Sequence, residues 1–241
     1  MGKLARITVC LFLLSALIPA SAALAVEEEK GWKAEGELGY VDTSGNTETQ
    51  SFIVKLKAGY ASERWSHDLS LEHYFSSDSG GTTAERYVAT LQSNYHITPR
   101  GYVFGRAGYV KDRFEGYDYR VREVVGYGHR VVDTEKLTLK LEAGPGGRHS
   151  RSTAGERENE LILYLSGQFL WKISAPASFT EDVRSEVGQK GTQSESVTAV
   201  KVRVVEHLSM KVSYTIRNNT DPPPGNRSTD TILAATAVFD F

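Results

Sequence analysis

The sequence predicts an all-β protein: one antiparallel, up-and-down transmembrane β-barrel of about twelve strands, following a cleaved signal peptide. Three observations carry this. From Trp32 onward, apolar and polar residues alternate with period two, the pattern of strands with two unlike faces. Connections alternate between longer polar loops and tight turns, an asymmetry typical of outer-membrane barrels. The last strand-like run, with Ala235, Ala237, Phe239 and Phe241 in one register, closes on an aromatic residue. Phe239 and Phe241 are therefore expected to act as an assembly signal, read when that strand closes the sheet.

The beginning of the chain is read as an address. Lys3 and Arg6 precede an apolar run from Ile7 to Ile18, and Ala23-Leu24-Ala25 fits a small-x-small cleavage site. Residues 1–25 are expected to be the signal peptide and 26–241 the barrel. The apolar run is short of the roughly 20 residues of a spanning helix. Cys10, the sole cysteine, lies inside it, so residues 26–241 have neither disulfides nor thiolate metal sites. A formal net charge of −2 and the absence of a basic stripe argue against nucleic acid as a partner.

Strands are expected near 32–42, 49–61, 64–75, 84–97, 101–111, 118–132, 136–146, 159–171, 173–185, 193–205, 207–217 and 229–241. In the first, Trp32, Ala34, Gly36, Leu38 and Tyr40 oppose Lys33, Glu35 and Glu37. In the second, Phe52, Val54, Leu56, Ala58 and Tyr60 oppose Lys55 and Lys57, and in the third Leu69 and Leu71 oppose Asp68 and Glu72. Later segments repeat the pattern, as in Leu208, Met210, Val212 and Tyr214 against Ser209, Lys211 and Ser213. Loops are expected at Asp42–Glu48, Ser76–Thr83, Asp112–Tyr117, Gly147–Glu158, Glu186–Thr192 and Asn218–Ser228. Tight turns fall at Ser62-Glu63, Thr98-Pro99-Arg100, Asp133-Thr134-Glu135, Lys172 and Glu206. On the apolar register, Trp32, Tyr60, Trp65, Tyr95, Tyr127, Trp171 and Phe241 gather at the turn side, and Tyr40, Phe75, Tyr109, Tyr119 and Tyr214 at the loop side. Two such belts suit two membrane interfaces. An even strand count puts both termini on the periplasmic side. Glu123 and Glu181 fall on the apolar register and are expected at bulges that turn them inward, or near the external interface.

The segments Trp32-Lys33-Ala34-Glu35-Gly36, Leu38-Gly39-Tyr40 and Thr43-Ser44-Gly45-Asn46-Thr47-Glu48-Thr49, with Asp112-Arg113-Phe114-Glu115-Gly116-Tyr117-Asp118-Tyr119-Arg120, resemble a family of bacterial proteins labelled salt-induced outer membrane proteins. The resemblance covers residues 26–241. It implies an outer-membrane location and a link to salt or osmotic stress, and it transfers no catalytic or ligand residues.

Candidate chemistry is sparse. Asp112, Arg113, Asp118 and Arg120 could form a charged rim network where strands five and six meet. Calcium is the sharper alternative for those acids, but the spacing of a calcium loop is missing. His67, His73, His96, His129, His149 and His207 show no pair at zinc spacing, so no metal or cofactor is expected. His67 and His73 lie on the apolar register, where a hydroxyl from a neighbouring strand would make a lipid-hydrolase pair. The basic run Arg148, His149, Arg151 and Arg157, assigned to a loop, would suit lipopolysaccharide phosphates.

Glu35, Glu37, Lys55, Lys57, Asp68 and Glu72 lead the inward register and are candidate lumen charges. They either line water or pair across strands and fill the lumen. Twelve strands lie between small packed barrels and open porins. The expected function is a structural or stress-related barrel with at most a narrow passive pore, not an enzyme. The expected partners are outer-membrane lipids, lipopolysaccharide and the barrel-assembly machinery. A lipid hydrolase and a secreted ligand-binding calyx are the competing readings.

Overall fold

The computed structural model describes residues 30–44, 49–78, 81–112 and 116–241; the expected signal peptide, Arg113 and most of the Thr43–Thr49 motif lie outside them. Among the described residues the chain forms twelve antiparallel strands: β1 (Gly31–Ser44), β2 (Thr49–Ala61), β3 (Trp65–Asp78), β4 (Gly81–His96), β5 (Gly101–Asp112), β6 (Tyr117–Asp133), β7 (Leu137–Ser152), β8 (Arg157–Lys172), β9 (Ala177–Gly188), β10 (Thr192–Val205), β11 (Leu208–Asn219) and β12 (Thr229–Asp240). Each pairs with its sequence neighbours, and β12 closes on β1. The seam runs from Glu35 opposite Asp240 to Ser44 opposite Thr231. It is extended by the Phe241 amide donating to the Ala34 carbonyl at 2.9 Å.

Closure satisfies the backbone and leaves no edge, which is what a sheet needs to stand in lipid. The outer wall is apolar: Leu38, Leu56, Leu71, Leu91, Val125, Leu163, Val202 and Met210 all stand exposed on it. A water-soluble calyx does not carry such a band all round. At the turn end Trp32 packs on Tyr60 and Trp65 on Tyr95, both with ring centroids 5.0 Å apart. At the loop end Tyr40, Phe52 and Phe75 stand side by side on paired strands.

Three expectations are corrected. Strands run further at the loop end than expected, so connections there shorten to two to four residues, except 220–228. The turn after β8 is Ile173–Pro176 rather than Lys172 alone, so loop length alternates less than the sequence suggested. The polar residues taken for loops are strand ends projecting past the apolar band. Gly147–Glu158 shows this best, because β7 continues to Ser152 and carries Arg148 inward. Bulges sit between Ser76 and Ser77, Val110 and Asp112, Tyr117 and Tyr119, Arg130 and Val132, and Arg203 and Val205. None falls at Glu123 or Glu181. Both carboxylates face outward on regular strands, Glu123 opposite Ala107 and Gly147, Glu181 opposite Phe169 and Thr198.

The inside is not purely polar. Tyr102 and Phe104 of β5, Val124 of β6, and Ile162 and Tyr164 of β8 form a buried cluster. The Phe104 and Tyr164 rings meet edge to face at 6.1 Å. Gly126 and Gly128 make room for it. A Cβ at Gly126 would come within 2.8 Å of the Phe104 ring, and one at Gly128 would collide with Tyr102. A second cluster joins Ile53, Ile232 and Ala234 to Tyr74 across β2, β12 and β3.

Candidate functional site

Inward positions of alternate residues bring charged side chains from distant strands together inside the wall. Lys57 donates to Glu35 at 3.2 Å, and Lys55 lies 3.5 Å from Glu72. Glu37 is 1% exposed and accepts from Lys211 at 2.7 Å and from the Thr236 hydroxyl at 2.9 Å. Lys201 reaches both Glu35 and Asp240 at 2.9 Å. Asp68 lines the wall of the same space.

Further towards the loop end the charges are arginines and carboxylates in alternation. Arg86 meets Asp112 at 2.7 Å, Arg122 meets Glu186 at 2.8 Å, and Arg148 meets Glu160 at 2.5 Å. Glu195 takes Arg217 at 2.7 Å and Arg184 at 3.0 Å. Several contacts cross the lumen rather than follow the wall. Arg120 of β6 donates to Gln193 of β10 at 2.6 Å, and Arg217 of β11 lies over the Tyr74 ring of β3 at 5.6 Å. Glu142 of β7 accepts from Gln92 of β4 at 2.8 Å and from the Tyr102 hydroxyl at 2.9 Å.

These cross-braces divide the lumen. At the turn end a vestibule of about 650 Å3 is lined by Lys33, Glu35, Lys57, Asp68, Lys140 and Phe241 among others. At the loop end the space shrinks to about 50 Å3 among Arg86, Arg120, Arg122, Arg184 and Arg217. Around that mouth stand six arginines, the sixth being Arg227, against four carboxylates, Glu186, Glu195 and Asp230 on its lining and Asp112 behind Arg86. Guanidinium groups crowded at a low-dielectric constriction favour carboxylates and phosphates over cations.

The candidate rim network is split. Asp112 turns inward to Arg86, and Arg120 enters the lumen, lying 4.5 Å over the Tyr117 ring. Asp118 sits at a bulge outside that group and meets Arg151 at 3.6 Å. Phe241 stands at the turn end, 83% exposed, and Phe239 lies opposite Gly36 across the seam.

On the outer wall His67 Nδ1 lies 2.9 Å from Ser93 Oγ, while His73 stacks on Tyr87 at 4.3 Å. A hydrolytic centre also needs a group orienting the histidine and amides free to hold an oxyanion. Among the described residues nothing holds the second nitrogen of His67. Ser93 is paired on both sides, with His67 and Gly105, so its strand amides serve the ladder. No grouping of His, Asp and Glu able to hold a metal occurs among the described residues.

Sequence reasoning missed the internal aromatic cluster and the arginine mouth. The first has a visible signal: Leu161-Ile162-Leu163-Tyr164-Leu165 and Tyr102-Val103-Phe104 are apolar on both faces, as expected of strands buried on both sides. The second is half visible: Arg86, Arg120, Arg122, Arg184 and Arg217 fall on the inward register, but which arginine meets which carboxylate depends on the stagger of the closed sheet.

A closed, twelve-stranded, lipid-compatible wall around a charged lumen defines an outer-membrane-type β-barrel. The chain belongs to the family described as protein of unknown function, DUF481, which it matches over residues 36–241. It is 29% identical over 205 residues to the uncharacterized protein YdiY of Escherichia coli (strain K12), covering 85% of this chain and 79% of that protein. Among solved structures, the fold resembles the NanC porin with a TM-score of 0.59 at 10% identity, over 85% of this chain and 98% of that one. It also resembles the KdgM porin with a TM-score of 0.53 at 10% identity, over 86% and 99%. A COG4313 outer membrane channel from Pseudomonas putida F1 gives 0.51 at 10% identity, over 89% and 97%.

Proposed function

We propose that this protein is a narrow passive channel of the bacterial outer membrane, wide at the turn end and constricted by an arginine-rich mouth at the loop end, and that it favours small anions. The carrying observation is the mouth itself, with six arginines against four carboxylates, Asp112 included, around about 50 Å3. That space suits ions and small acids and is too tight for a folded oligomer to pass. The turn end faces the periplasm in this reading, with both termini there, and lipopolysaccharide surrounds the loop end. The resemblance to salt-induced outer membrane proteins supports a role in osmotic or salt stress, for which a small leak of anions is a fitting device. Conduction needs no catalysis, and the incomplete surroundings of the His67–Ser93 pair support a non-enzymatic role.

The test is single-channel recording of purified protein in planar bilayers under a potassium chloride gradient. A small conductance with anion preference is expected, weakened in Arg120→Gln and Arg217→Gln. Neutralising Lys55 and Lys57 together (K55Q, K57Q) changes the conductance of the vestibule, while the heat-modifiable barrel stays intact. Cation preference, or no conductance in correctly folded protein, refutes the channel reading. Phospholipid hydrolysis that disappears in His67→Ala refutes the non-enzymatic one.

A further inference from the structure

The connection from β11 to β12 lies over the loop-end mouth, where its Pro222, Asn226 and Arg227 line the constriction. Its tip reaches the opposite side of the ring. β5 and β6 stand farthest from β11 and β12 in the closed strand order, yet the tip packs on Gly116, between β5 and β6. A Cβ on Gly116 would come within 3.0 Å of the Pro223 side chain and 2.5 Å of Asn226 Nδ2. Gly116 is buried there. Its own backbone is fixed to the neighbouring hairpin, because its carbonyl accepts from the Thr153 amide at 3.0 Å.

The connection is a stiff piece. Pro222, Pro223 and Pro224 hold three successive φ angles and lack amide donors, so they cannot join the ladder of either flanking strand. Gly225 has a φ of +93°, and the Asn226 amide donates to the Pro223 carbonyl at 3.1 Å. Proline followed by a glycine of positive φ is what a type II turn requires. Such a unit moves as a body, and any bending falls to the residues at its ends.

Those ends and the tip are held unequally. At the base the Thr220 amide donates to the Thr192 carbonyl at 3.0 Å, and the Thr192 amide to Thr220 Oγ1 at 2.8 Å. The Asn219 amide donates to the Ser228 carbonyl at 2.8 Å, and the Asp221 amide to Asn219 Oδ1 at 3.1 Å. At the tip Pro223 meets the Gly116 backbone by van der Waals contact. Asn226 Nδ2 is shut away from solvent with no hydrogen-bond partner among the described residues. A buried amide left unpaired disfavours the seated position, whereas lifting the tip breaks none of the bonds at the base. A firm base under a weakly held, rigid tip is the arrangement of a hinge.

We propose that residues 221–227 are the gate of this channel, a device that rests on the channel reading above. Seated on Gly116, they narrow the mouth to about 50 Å3 and bring Arg227 into it. Lifted about Thr220 and Ser228, they widen the mouth and withdraw that arginine. The closed position is thus the more anion-selective one.

Single-channel recording in planar bilayers under a potassium chloride gradient tests this, with the full chain expressed and each purified barrel checked for heat-modifiable mobility. The native protein is expected to show mainly a small, anion-preferring level, with steps to a larger and less selective one. Replacing residues 221–227 by Gly-Gly is expected to leave only the larger level. Gly116→Cys combined with Asn226→Cys places two thiols at the seat, in a mature chain that otherwise has none. Oxidised, this pair is expected to hold the small level. Dithiothreitol is expected to raise the share of the larger level about tenfold or more, because a side chain at Gly116 crowds Pro223. Where the linker variant does not assemble, the comparison of redox states decides alone. The same conductance and selectivity in the native protein, the linker variant and both redox states overturns the gate and leaves the channel standing. A larger level found in the linker variant alone makes residues 221–227 a fixed plug and also overturns it. Silence in every variant overturns the channel reading, and the gate with it.

Discussion

Phe104→Ala removes the centre of the internal cluster, and the structure sets what this costs. The ring is 4% exposed, faces the bare backbone of Gly126, and meets Tyr164 edge to face at 6.1 Å. Truncating a buried phenylalanine costs about 3–5 kcal/mol, the larger figures arising where neighbours cannot collapse into the space. Gly126 has no side chain to move, and the sheet behind it is fixed by its ladder, so the upper half of that range is expected. About 0.5–1.5 kcal/mol of the loss belongs to the ring pair and is to be recovered as coupling in a cycle with Tyr164→Ala. The assay is urea unfolding in detergent micelles, followed by tryptophan fluorescence and by gel mobility of unheated samples. Val103→Ala, one residue away on the outward face, is the control and should cost far less. If Phe104→Ala loses no more than that control, the internal cluster does not hold β5 to β8, and the packing argument fails.

Two further outcomes are expected. Glu186→Ala leaves Arg122, 2.8 Å from the lost carboxylate, and Arg148, 3.6 Å from it, without their shared partner; a destabilisation of about 3–5 kcal/mol is expected, and a urea midpoint unchanged from the native protein refutes it. Deleting Phe241 removes the closing backbone pair with Ala34 and should leave secreted, unassembled protein; normal amounts of heat-modifiable barrel from the truncated chain count against the assembly role.

The strands were legible because a wall between lipid and a charged lumen forces period-two alternation, seen plainly in Leu208 to Ile216 of β11. Their loop-side ends were not, because residues such as Arg148 and Ser150 leave the apolar band while the ladder continues, so polarity stops reporting on secondary structure. Neighbouring pairs such as Lys55 with Glu72 could be anticipated from adjacent strands. Contacts across the lumen, such as Arg120 with Gln193, could not, because they depend on how far the sheet shears before it closes. Glu181 was misread for a different reason. Its outward register was visible, but the two hydroxyls that hold it come from β10, a strand whose Ser196 and Thr198 look like ordinary substitutions in a lipid-facing row.

The partners of Glu37 give the seam a consequence for how the chain finishes folding. Lys211 and Thr236, its two donors, follow it by 174 and 199 positions, so neither is in place until the last two strands have joined. Until then this carboxylate has no cation beside it from the closing side. If β12 docks one residue out of step, Thr236 turns to the opposite face of the sheet and Glu37 is enclosed without its hydroxyl donor. A misaligned closure is therefore penalised at one side chain as well as along the whole ladder. The Glu37 contacts thereby tie the finished ring to one alignment of β12 on β1.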